Sequence, residues 1–240
     1  MPDVAIPYAS ELLRVAAEGV ALPRDVAQAR ALATSLVELH GGIVPPDAGG
    51  YDRAFRASFE GPEGFFALVD ALPSGKRTPF EPARLSAIEQ RYLGFRWRLR
   101  GRSDRLRRVH GRVVPERVSV DAAGALRLAP GAAGATGEPA DDVASMAVTY
   151  LAAGVADALS WDEGFRPLWD ALWSSYLGGS GDHELLDVAQ PALARHALRL
   201  ARSGAGGGRR ADAVERLVAF AEAVLEVRSF DPDTASRFVR

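Results

Sequence analysis

Cysteine is absent from the 240 residues. That removes disulfides, thiolate zinc sites, iron–sulfur ligation and a cysteine nucleophile together. Lysine is almost absent: of 29 basic residues only Lys76 is a lysine, so chemistry that needs an amine has one candidate. The histidines are four, His40, His110, His183 and His196, and they form no H-E-x-x-H pair. No apolar run approaches the ~18 residues of a membrane span. The N-terminal MPDVAIPYASELL lacks a basic stretch followed by an apolar one, so neither a signal peptide nor a membrane span is expected, and the expected location is cytoplasmic.

What is present is ordinary globular composition, 48% hydrophobic and 25% charged. The length suits one large domain or two small ones. The abundance of arginine alongside alanine and glycine reads first as codon bias in a GC-rich genome. The net charge of −2 nevertheless hides a segregation. Arg91 to Arg117 holds ten arginines against two acids, a net of +8, and the other 213 residues therefore carry −10. A charge block of this kind can bind anions or can form a solvated face.

Helical periodicity dominates the chain. A short helix is expected over 10–18 with Ser10 as its N-cap, and a second from Pro23 to His40, stopped by Gly41-Gly42. Residues 51–72 suggest two short helices split at Gly61-Pro62, and 82–99 a longer one. The period then changes. Residues 107–109 and 112–114 alternate in polarity around His110-Gly111, and 117–121 with 125–129 read as a β-hairpin. Helices are expected again over 140–154, 162–177, 183–202 and 211–228, with 203–210 a flexible loop between the last two. The fold class is therefore mainly α with a small β-hairpin element, as one domain over 1–240. No βαβ series appears, which excludes a Rossmann or TIM-type sheet.

The common chemical motifs fail. Gly75-Lys76 has Asp70 where a Walker A loop needs its first glycine, and Arg77 where it needs Ser or Thr. The Gly204–Gly208 run follows no strand. His183 and His196 lie thirteen apart on one expected helix, too far to share a metal, so no metal site is expected. There is no G-x-S-x-G elbow.

One ordered set of segments is more informative. Arg108-Val109-His110-Gly111-Arg112 precedes the hairpin, and Gly137-Glu138-Pro139-Ala140-Asp141-Asp142-Val143-Ala144 opens a helix after it. This order resembles the C-terminal lobe of the aminoglycoside phosphotransferase family, a protein-kinase-like fold that phosphorylates small hydroxylated molecules. In that family a strand leads into H-G-D-x-H-x-x-N, a hairpin carrying a magnesium-binding Asp follows, and then a G-[DE]-P-x-x-D helix start. Ala31–His40 resembles the family's LA..L..LH helix, and Tyr176–Asp182 resembles its YL..SGD turn. The similarity spans about residues 25–205.

The resemblance implies a kinase-like C-lobe without the β-rich nucleotide lobe, and it implies losses. Arg112 stands where the family has its catalytic Asp; an arginine stays protonated and cannot act as a base. Val114 stands for the second His, and Arg117 for a metal-binding Asn. Leu128–Gly131, where the magnesium Asp is expected, holds no acid. Phosphoryl transfer needs each of these groups. Asp142 matches a family Asp that buttresses the catalytic loop, and Glu138-Pro139 suits the helix start. The expectation is a non-catalytic, pseudokinase-like binding or scaffold protein with no cofactor. Its expected contact is a protein partner, or a second copy, at the surface left by the absent lobe. Two alternatives stay open: a phosphotransferase with an alcohol acceptor that borrows a nucleotide lobe, and a polyanion-binding helical module. Within the arginine block, Arg96, Arg98, Arg100, Arg105, Arg107 and Arg108 are candidates for anion or partner binding. Internal pairing is the competing role, and nucleic acid the less favoured ligand.

Overall fold

The computed structural model describes residues 5–42, 44–45, 47, 49–61, 64–131, 135–206 and 210–239. Its helices are α1 (Tyr8–Glu18), α2 (Pro23–His40), α3 (Gly50–Glu60), α4 (Phe65–Asp70), α5 (Pro82–Arg98), α6 (Pro139–Ala156), α7 (Arg166–Ser180), α8 (Leu185–Val188), α9 (Gln190–Gly206) and α10 (Ala211–Val224). The strands are short: β1 (Ile6–Pro7), β2 (Arg107–Arg108), β3 (Val118–Val120), β4 (Leu126–Leu128) and β5 (Thr136–Gly137). The chain is thus mainly α with small β elements. No helix among the described residues is long and apolar enough to cross a membrane.

Helix α6 is central. It is apolar on nearly every face, from Ala140 to Val155, because α2, α7, α9 and α10 surround it. The most extensive helix pairs are α9 with α10 and α2 with α7. Close packing sets the limits here. A Cβ on Gly154 would come within 2.4 Å of the Trp161 ring. Trp161 is itself fixed by a 3.1 Å bond from its Nε1 to Ser236 Oγ.

Four of the five strands lie between Arg107 and Gly137, and the strands form two sheets. β3 and β4 make the expected hairpin, paired Val118 to Leu128. Asp121 closes its turn by accepting from the Ala123 and Ala125 amides. β1 joins β3 as a third antiparallel strand, which the sequence reading did not anticipate. β2 pairs with β5, Arg107 opposite Gly137. Residues 112–114 are not a strand: their alternation buries Val113 beside exposed Arg112 in an irregular turn.

Four further expectations are corrected. Ser10 does not cap α1, which already starts at Tyr8 after Pro7. The strand pairing of β1 and the buried 2.8 Å bond between the Tyr8 and Tyr150 hydroxyls set that start. The helix expected over 162–177 begins with a π-helical turn, Trp161–Phe165, and runs on to Ser180. The helix expected over 183–202 is two, because Pro191 begins a new one at α9, so exposed His183 lies outside both. Residues 203–206 of the expected flexible loop are helical. Buried Gly204 and the Ser203 Oγ bond to the Arg199 carbonyl (3.1 Å) extend α9 through them; residues 207–209 of that loop lie outside the described residues.

Substituting Gly154→Ala is expected to destabilise the protein by about 1–3 kcal/mol, since Trp161 must leave its site to admit one methyl group. Urea denaturation of the two proteins measures this; an unchanged midpoint would contradict the packing at α6.

Candidate functional site

The segment from β2 to the start of α6 builds the site. After Arg108 the chain makes a turn at His110-Gly111, with Gly111 at φ +80°, a conformation that glycine adopts without strain. Asp142, in the first turn of α6 and 1% exposed, holds this turn. Its Oδ2 accepts from the His110 amide at 2.6 Å and its Oδ1 from the Gly111 amide at 2.8 Å. Oδ2 also takes His40 Nε2 at 3.1 Å. The His40 Nδ1 lies 2.7 Å from the Tyr176 hydroxyl, so α2, α6 and α7 meet at one carboxylate.

His110 is buried and fully engaged. Its Nε2 donates to the Ala129 carbonyl at 2.7 Å, and its Nδ1 accepts from the Arg112 amide at 3.2 Å. These partners fix a neutral ring protonated on Nε2. Gly131 packs so closely that a Cβ there would meet the His110 carbonyl at 2.6 Å. The Ala129 amide donates to the Arg117 carbonyl at 2.8 Å. The turn, Arg117 and residues 128–131 are therefore brought together.

Arg112 and Arg117 are exposed; Arg117 Nη1 reaches the Pro130 carbonyl at 3.5 Å. A cavity of about 440 Å³ lies beside the turn, against His110, Ser35, Leu128 and Ala129. Among the described residues Arg108 is its one charged wall residue, and no carboxylate lines it. A second cavity, of about 300 Å³, lies on the far side of the turn. Phe55, Tyr92 and Val109 form apolar walls there, with Asp141 and Arg195 among its polar ones. Asp141 Oδ1 accepts from Arg195 and from His196 Nε2, the latter at 3.0 Å. Burial pushes the Asp141 pKa up, but Arg195 and His196 outweigh it and hold it well below the usual carboxylate range. Burial lowers the His196 pKa, and Asp141 offsets only part of that.

The arginine candidates separate into different roles. Arg105, 5% exposed, is a structural pin rather than an open anion site. Its guanidinium grips Glu138 (2.7 and 2.8 Å) and Asp182 (2.8 and 2.9 Å). Glu138 also accepts from the Tyr51 hydroxyl at 2.9 Å, and from the Ala140 amide at 3.3 Å as the N-cap of α6. Pro139 follows as the first residue of that helix. Arg98 donates to the Asp187 and Arg228 carbonyls, and Arg107 to those of Asp104 and Leu106. Arg108 lies along Gly42. Arg96 and Arg100 stand apart from these, at the exposed C-terminal end of α5. From sequence His40 reads only as a helix-end residue suited to the dipole, and nothing there pairs it with Tyr176 or joins Arg195 and His196 to Asp141. The available signal was a polar residue at a position in helical register with buried neighbours.

No group of histidine and acidic side chains among the described residues is arranged to hold a metal ion. Compared with known proteins, the chain matches no family model, and no curated protein or solved structure matches it.

Two outcomes follow. Asp142→Ala leaves the His110 and Gly111 amides and the buried His40 without their acceptor, so a loss of about 3–5 kcal/mol is expected in urea unfolding. Asp142→Asn, which keeps one acceptor oxygen, should lose less. The acidic limb is set by the shifted groups: in the folded state both His196 and Asp141 bind fewer protons than in the unfolded chain. Stability should therefore fall as pH drops below about 6.5, and again below about 4. A urea midpoint that rises between pH 7.5 and 5 would contradict this.

Proposed function

We propose that the chain is a non-catalytic binding or scaffold module related to the C-terminal lobe of small-molecule phosphotransferases. One observation carries the reading. Among the described residues the cavity beside the His110-Gly111 turn has an arginine in its wall and no carboxylate, while the turn itself is held by its two amides on Asp142. Phosphoryl transfer needs a carboxylate to orient the attacking hydroxyl, and acidic or neutral oxygen ligands for magnesium. Arg112 and Arg117 beside the turn supply neither. The order of strand, turn, hairpin and helix start supports the kinase-like relationship, and so does the contact of residues 128–131 with His110.

A protein partner is the favoured contact. Ile6, Leu13 and Leu159 are among the large apolar side chains left exposed in the described residues, the last two at 71% and 89%. They sit on β1, on α1 and in the turn Ala158–Ser160, and α1 touches both of the others. These exposed side chains on adjoining elements are the face we propose for that contact.

Calorimetric titration with ATP and magnesium tests the reading. No magnesium-dependent binding is expected, and micromolar binding that requires magnesium would overturn it. Arg112→Asp alone is expected to leave phosphoryl transfer at background, because the cavity would still hold no metal ligands.

A further inference from the structure

Helices α3 and α5 enclose a cleft of about 220 Å³ that none of the preceding chemistry uses. Arg56 contributes from α3, and Arg96, Trp97 and Arg100 from the end of α5, with Phe55 and Asp52 completing the wall. Trp97 is 68% exposed, whereas Trp161, Trp169 and Trp173 are buried. The Arg96 and Arg100 guanidinium carbons lie 6.0 and 5.5 Å from the Trp97 ring centroid. Cation–π contact of this kind holds a guanidinium in place while leaving its N–H groups for a ligand. Among the described residues none of Arg56, Arg96 and Arg100 forms an ion pair or a hydrogen bond, unlike Arg91, Arg98, Arg102 and Arg105 of the same segment. The one acid, Asp52, accepts the Gly101 amide at 2.8 Å, which fixes the end of α5.

We infer that this cleft is a binding site for a small phosphorylated molecule whose phosphoryl group is carried on a ring. Three arginines lining one small cleft suit a single phosphoryl group, which arginine binds bidentately. Phe55 and Trp97 supply apolar contact for the ring. The three arginines share one small cleft, so the ligand is one compact group and not a nucleic acid strand, which needs an extended track. The site is separate from the cavity beside His110, and its ligand needs no magnesium.

Trp97 provides the readout, because the other three tryptophans are buried. In low salt, iodide should quench its emission more strongly than caesium does, and Arg96→Ala/Arg100→Ala should abolish that preference. Phenyl phosphate, titrated without magnesium, should change the emission with submillimolar affinity. The double variant should weaken binding by about tenfold or more, a loss of about 1.4 kcal/mol. Arg166→Ala, on the distant surface of α7, should leave it unchanged. Circular dichroism checks that the variants fold, and the iodide comparison on the unaltered protein stands without them. Phenol acting as well as phenyl phosphate would overturn the proposal, as would no response to either. Oligothymidylate binding that tightens with strand length, far beyond phenyl phosphate, would replace it with a nucleic acid surface.

Discussion

The carboxylate of Asp142 is the point on which the arrangement around it depends. A buried carboxylate is tolerated when its oxygens are filled by donors, and Asp142 has three: the His110 and Gly111 amides and His40 Nε2. The three donors come from two parts of the fold. The amides belong to a turn that cannot pair with a strand. His40 ends α2, and Tyr176 on α7 holds its other nitrogen. One side chain in the first turn of α6 thereby fixes where α2, α7 and the turn lie.

A second polar hub works beside it with the opposite sign. Arg105 is a buried cation held by Glu138 and Asp182, and Glu138 caps the helix that Asp142 begins. Pairing of this quality is needed because removing either side would strand a charge out of water. The two hubs leave the His110 ring with both nitrogens bonded to backbone groups. A histidine so occupied positions the hairpin exit and has no free nitrogen for proton transfer. That physical fact, together with arginines at the adjacent exposed positions, underlies the reading of the turn as architecture.

Much of this was legible in the sequence where local chemistry decides. Pro23, Gly41 and Gly61 mark helix limits because proline and glycine act on the backbone directly, and the Asp121 to Ala125 turn marks the hairpin. The Asp142 position was legible through its place after Glu138-Pro139. Distant partners were not. β1 finds β3 across more than a hundred residues, and nothing in Ile6-Pro7 alone selects that edge. Tyr8 meets Tyr150 for the same reason. Among the arginines, sequence showed a block of charge but could not divide it. Arg105 turns inward to two acids far along the chain, while Arg96 and Arg100 stay on the surface against Trp97. The helix over 203–206 was hidden because glycine reads as a breaker unless packing from α10 supports it.

Hydrogen exchange at the Gly111 amide tests the central claim most directly. Gly111 is exposed, so without its bond to Asp142 its amide would exchange like that of an open loop. The account predicts protection close to that of the core amides of α6, released only by unfolding that separates the turn from Asp142. Exchange at the rate of an unprotected loop would contradict it.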